Sequence, residues 1–265
     1  MLSKITRGVL PCECGRSMIF SEIDELKNRL DSLRPLPEHT VRSLHEQQVL
    51  EWTYHSNAIE GNTLTLKETK IVLEGITVGG KSLREHFEII NHKEAIDYVE
   101  DIVRTQDALN EWKIKSIHHL VLKNVNDKNA GIYRQENVVI SGAQHTPPHF
   151  LDVPPAMTTL ITAYKNANAL HPVERAARLH VDFVGIHPFV DGNGRTSRLL
   201  MNFELLRWGY LPVIIPVEKR LDYYEALDTA HTLGNYAPFI ELVALLEKHT
   251  LARYLHIVSG KRDES

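Results

Sequence analysis

Apolar residues recur at every third or fourth position over most of the chain, the spacing of helices that bury one face. Ile23, Leu26, Leu30 and Leu33 mark a first helix from about residue 21, stopped by the RPLP run at 34–37. Pro37 suits the first position of a second helix, which runs to about 59 with Val41, Leu44, Leu50, Trp52 and Ile59 as its contacts. Thr65 and Glu68 have the spacing of a capping box for a helix to about 73. Phe87, Ile90, Ala95, Ile96 and Val99 pattern a long helix over 83–105, and Ile114, Ile117, Leu120 and Val121 one over 112–125. Further helices follow over 153–167 and 171–186, then one past Arg195 with Leu199, Leu200, Phe203 and Leu206 as its apolar face. Another opens at 222–227, and the last spans 238–257. Only 138–142 and 212–216 read as extended. The VVI run closed by Ser141–Gly142 predicts a small β-hairpin within 131–150, and Pro147–Pro148 fix an extended exit. The expectation is a mainly α-helical bundle carrying one small β-hairpin.

Composition narrows the function classes. The 265 residues carry 43% hydrophobic and 24% charged side chains, an ordinary globular balance. A net charge of −4 argues against a dedicated nucleic-acid surface. No apolar run approaches membrane-spanning length, and residues 1–18 lack a continuous apolar stretch of the secretory kind. Cys12 and Cys14 have no second pair, so free thiols in a reducing cytoplasm are expected. Residues 1–17 are expected to be irregular.

Chemistry concentrates in 187–198, HPFVDGNGRTSR. Gly192, Asn193 and Gly194 can turn consecutive N–H groups toward one point, an anion nest. The helix that follows adds free N–H groups and a dipole favouring phosphate. Arg195 and Arg198, three apart, share a helical face and suit a polyphosphate. Asp191 offers a hard oxygen for Mg²⁺. His187 is the one group there able to accept a proton near neutral pH. A second informative string, SNAIEGN at 56–62, ends the second helix with Gly61 as the stop. Ser56 and Glu60 lie four apart on one face. Taken alone that pair reads as a solvated helix end. Asn91, His92 and His180 read as polar residues satisfied inside helices, and His145 and His149 as solvated loop residues.

The 187–198 stretch resembles the signature of the Fic family, H-x-F-x-[D/E]-G-N-[G/K]-R-x-x-R, at every specified position. The resemblance covers about residues 37–255. It implies protein adenylyl transfer, AMP moving from ATP to a Ser, Thr or Tyr hydroxyl. His187 would be the general base, Phe189 the loop anchor and Asp191 the Mg²⁺ ligand. Gly192, Asn193 and Gly194 would cradle the phosphates, with Arg195 and Arg198 on the outer ones. The 131–150 segment is similar to the family's flap, which implies nucleotide and target contacts at Val139, Ile140, Ser141 and Gly142. Tyr223 and Tyr224 would lie by the adenine, and His231 or Asn235 would stand where members often carry an Asn. Ser56, Glu60 and Gly61 match the family's inhibitory motif, which implies a Glu60–Arg198 pair competing with a γ-phosphate.

The implied organisation is an N-terminal tail and helix over 1–36, an inhibitory helix region over 37–75 and a catalytic domain over 76–257. The expected partners are ATP, a protein target laid along the flap and a second copy of the chain as a homodimer, with no nucleic acid or membrane. Three alternatives stay open at this point: AMP removal with Glu60 orienting a water, UTP or CTP as donor, and a catalytically silent nucleotide-sensing module.

Overall fold

The computed structural model describes residues 13–260; residues 1–12 and 261–265, with Cys12 and the end of the polar tail, lie outside the described residues. Ten α-helices form among them: α1 (Glu13–Ser32), α2 (Glu38–Ile59), α3 (Leu66–Leu73), α4 (Leu83–Arg104), α5 (Glu111–Leu122), α6 (Val153–Asn166), α7 (Pro172–Ile186), α8 (Asn193–Arg207), α9 (Arg220–Leu233) and α10 (Ala237–Ser259). Helix α1 starts at Glu13, so 13–17 are helical rather than irregular. The Thr65–Glu68 capping box forms as its spacing predicts. An equivalent box, Ser82–Glu85, opens α4.

Helix α8 organises the core. Leu199, Leu200 and Phe203 face a cluster with Ile96, Ile114, Met157 and Phe183 from α4 to α7. Met201 and Leu205 face a second cluster with Ile23, Val173, Phe239 and Val243 from α1, α7 and α10. A helix buried all round is a central helix, so the single face assigned from the sequence is too narrow. Most of its polar side chains are buried too. Asn202 exchanges 2.8 Å hydrogen bonds with the N–H and C=O of Val213. That exchange satisfies the backbone of Val213 without a partner strand. Two inward assignments shift by phase: Val41 is exposed, and on α4 Ile89 is buried where Ile90 is not.

The small β-hairpin does not form; among the described residues there is no strand. A turn does close at Ile140–Ala143 (3.2 Å), with Gly142 at φ 82°. The returning arm contains Pro147 and Pro148, which have no N–H to give a ladder. Side chains take over the bonding: Asn137 accepts from the Phe150 N–H at 3.0 Å, and the Arg134 guanidinium donates to the carbonyls of Glu136 and Pro148.

Candidate active site

The signature turn joins α7 to α8 at the centre of the fold. His187 ends α7 in the left-handed region, φ 49°, ψ 59°, a conformation that costs a non-glycine residue roughly 1–2 kcal/mol. Phe189 is fully buried and stacks on His118, ring centroids 3.5 Å apart. The Asn193 side chain is also buried: its Oδ1 accepts from the Phe189 N–H (3.0 Å) and its Nδ2 donates to the Phe189 carbonyl (2.8 Å). Asn193 therefore shapes the loop with its side chain and can serve an anion only through its backbone. Gly192, φ 77°, precedes the first turn of α8, where the leading N–H groups have no intrahelical acceptor.

The two arginines are buried side by side. Arg198 donates from Nε to Ser56 Oγ (3.0 Å), from Nη2 to the Ser56 carbonyl (2.8 Å) and Glu60 Oε1 (2.7 Å), and from Nη1 to Tyr223 Oη (3.3 Å). Since Arg198 only donates, the Tyr223 O–H is free for His180 Nε2, 3.2 Å away. That bond needs a neutral imidazole, and burial together with the Arg198 charge holds His180 well below the usual histidine range. Glu60 caps α2, with Gly61 behind it at φ 95° and the Asn62 N–H returning to the Asn57 carbonyl. A Cβ on Gly194 would lie 2.2 Å from Glu60 Oε1. The carboxylate thus sits directly over Gly194, and a side chain there would displace it.

On the other side, Arg195 reaches Asp191 Oδ1 (3.3 Å) and Glu88 Oε1 (3.6 Å). Asp191 Oδ1 also accepts from the Gly192 N–H at 2.6 Å, and its Oδ2 from Arg84 Nη2 at 3.2 Å. Asp191 stays 38% exposed and already draws two cations. No group of three or more His, Cys, Asp or Glu that could hold a metal occurs among the described residues. A single part-exposed carboxylate beside the Gly192–Gly194 turn is compatible with a hard cation that keeps most of its waters.

His187 is held by burial at about 4, the Val184 carbonyl opposing and the Arg134 charge adding to the depression. The imidazole is therefore neutral at pH 7 and able to accept a proton. Val139 is 91% exposed on the 137–142 segment, with Ile140, Ser141 and Gly142 at its turn.

Other expected contacts are spent elsewhere. Tyr223 is 1% exposed and packs behind Arg198, so it offers no open wall to a base; Tyr224 is 37% exposed, with the Arg220 guanidinium 5.4 Å from its ring centroid. His231 Nε2 donates to the Val181 carbonyl (2.9 Å), and its ring lies 4.5 Å from the His145 ring. Asn235 accepts from the Ala237 N–H at 3.1 Å, capping α10. His145 is not a free loop residue, since it meets the Gly185 carbonyl at 2.8 Å. His92 is fully buried on α4, edge-on to Trp52.

Sequence reasoning missed four supports: His118, whose Nε2 donates to the Asp191 carbonyl (2.8 Å) while Nδ1 accepts from the Gly131 N–H (2.9 Å); Arg134; Arg84; and Glu88. No local spacing announces them, because the signature-turn residues that His118, Arg134 and Arg84 hold lie 53 to 107 residues away.

A family description, Fic/DOC, matches residues 108–205. The chain is 39% identical over 241 residues to "Protein adenylyltransferase Fic" of Nematostella vectensis, covering 89% of this chain and 56% of that protein. It is 37% identical to the protein of the same name from Drosophila melanogaster, covering 92% and 50%. The chain thus spans about half the length of these curated relatives. Fic-1 of C. elegans (residues 134–508) superposes with a TM-score of 0.82 at 31% identity, covering 93% of this chain and 74% of that one. A Fic domain-containing signaling protein of Bacteroides thetaiotaomicron gives 0.83 at 29% identity, covering 92% and 99%.

Proposed function

The chain belongs to the Fic/DOC family, and from that premise we propose that it is a protein adenylyltransferase, moving AMP from ATP to a protein hydroxyl and restrained by Glu60. The observation that carries the reading is the Glu60–Arg198 bond of 2.7 Å, with the Glu60 carboxylate lying over Gly194.

The chemistry follows from the residues. Neutral His187 takes the proton of the acceptor hydroxyl, general base catalysis worth roughly 10²–10⁴ in rate. The freed oxygen attacks the α-phosphorus, the bond to the bridging oxygen breaks, and pyrophosphate leaves with that electron pair. The N–H groups at the start of α8 face the charge that develops. Arg195 and Arg198 hold the departing phosphates. Asp191 would hold Mg²⁺, which when bound neutralises phosphate charge; Arg84 must first release the carboxylate. The exposed 137–141 backbone, unpaired by any strand, is suited to receive an extended target segment by strand addition. Tyr224 supplies the wall for the base.

A second reading has one observation in its favour. Glu60 remains 34% exposed while bonded to Arg198, so a water could be oriented there to remove AMP from a modified protein. Incubation with α-labelled ATP and Mg²⁺ separates the outcomes. The proposal expects label on protein with Glu60→Gly and none with Glu60→Gly/His187→Ala, which still binds ATP. Nucleotide binding without any transfer would instead support a silent sensing module.

A further inference from the structure

We propose that Arg134 is a positioning residue for this transfer, fastening the neck of the 136–148 segment to the backbone of His187 so that acceptor segment and base are held as one unit. The inference rests on the adenylyl-transfer reading above for the reaction it serves. Its geometry stands apart from that reading.

Arg134 is 3% exposed. Its Nε donates to the His187 carbonyl at 2.9 Å, Nη1 to the Glu136 carbonyl at 3.0 Å and Nη2 to the Pro148 carbonyl. Its own N–H donates to the Pro188 carbonyl at 2.9 Å. One residue therefore clasps both carbonyls of the His187–Pro188 turn and both arms of the segment where they converge. The planar fork makes this a task for arginine, since a lysine ammonium is a single point on a flexible stem.

The clasp falls on a strained residue. His187 lies in the left-handed region, and a non-glycine residue persists there only where its surroundings over-determine it. Gly131, three residues before Arg134, donates to His118, which also holds the Asp191 carbonyl. The strip 131–134 thus touches the signature turn on both sides, at the base and at the proposed Mg²⁺ ligand. The segment's far end is tied down separately by His145 on Gly185 and by the Gln144 N–H on Asp228. Losing Arg134 would therefore loosen the neck and leave the tip tethered. The Arg134 charge also lies near enough to His187 to add to the depression that burial causes, so it favours the neutral base as well as its place.

The test uses Arg134→Lys and Arg134→Gln, each in the Glu60→Gly background, with rates, ATP affinity by calorimetry and amide exchange read together. A misplacement of about 1 Å costs on the order of 10²-fold in rate, so kcat should fall about 10- to 100-fold in both variants while the ATP Kd stays within about twofold. Exchange should speed up across 136–148 and remain unchanged in α8. Arg134→Gln, which removes the charge, should also move the acid limb of the rate profile to higher pH; Arg134→Lys should not. Parental rates with parental exchange would overturn the proposal. So would faster exchange spread evenly through α7 and α8, which would make Arg134 a general stabiliser. If the Glu60→Gly parent transfers nothing, the functional reading has failed, and exchange at 136–148 alone then decides whether Arg134 holds the neck.

Discussion

The two sides of the Gly192–Gly194 turn are restrained in opposite ways. On one side Arg198, its side chain 3% exposed, has donors engaged by Ser56 and Glu60 at the end of α2 and by Tyr223 on α9. On the other, Asp191 is 38% exposed and its partner Arg84 is 60% exposed, at 3.2 Å. A buried guanidinium needs nearly all its donors satisfied, whereas an exposed pair contributes only about 0–1 kcal/mol. The buried side is therefore a latch and the exposed side a loose contact. The latch is also layered: two of its four bonds go to Ser56, one to Tyr223 and only one to the Glu60 carboxylate. Removing Glu60 should release Arg198 toward a phosphate without unfolding its surroundings.

The largest effect should come from dismantling the latch itself. Arg198→Ala in the Glu60→Gly background is expected to reduce transfer by roughly 10²–10³-fold, the usual loss for one preorganised electrostatic group. Initial rates with α-labelled ATP check this, and a double variant as fast as Glu60→Gly alone would show that Arg198 does not hold phosphate. A smaller change tests the layering. Ser56→Ala removes one bond to Arg198 Nε and keeps the carbonyl bond, so basal transfer should rise about two- to tenfold, matching the net worth of a hydrogen bond. A rise equal to that of Glu60→Gly would mean the layers are not separable.

The pH dependence bears on the same buried side. Burial places His187 at about 4, below the ordinary histidine value near 6.5. A general base works in its neutral form, so activity is lost as pH falls through its pKa, and kcat/KM should stay level from about pH 7 to 5 and decline only nearer 4. A decline centred at about 6.5, with protein still folded by circular dichroism, would place the base in water. The smallest effect belongs to the exposed side. Arg84→Ala should lower the Mg²⁺ concentration for half-maximal rate by no more than about fivefold, the ceiling for an exposed ion pair. A larger drop would make Arg84 a latch of its own.

The contrast also accounts for what could be read from the sequence. Helices and the Thr65–Glu68 cap follow local rules, and both form. The Ser56–Glu60–Arg198 cluster was legible only through the family resemblance of two strings, since spacing alone reads Ser56 and Glu60 as a solvated helix end and 138 positions separate Glu60 from Arg198. Arg84, Glu88, His118 and Arg134 are single residues whose roles depend on tertiary partners. The hairpin was misjudged because β-propensity at Val138–Ile140 is real, while the returning arm carries two prolines and the Arg134 side chain bonds to carbonyls at the neck. The adenine contact at Tyr223 is implied by the resemblance only, and its burial against Arg198 reveals a support for that guanidinium.

The central claim is that Glu60 restrains a competent site. The most direct measurement compares initial rates of label transfer from α-labelled ATP, with Mg²⁺ and no added target, for the parent chain and for Glu60→Gly. A regulatory coupling of about 1–3 kcal/mol predicts a 5- to 150-fold rise. A Glu60→Gly protein that binds ATP, remains folded and is no faster than the parent would contradict it.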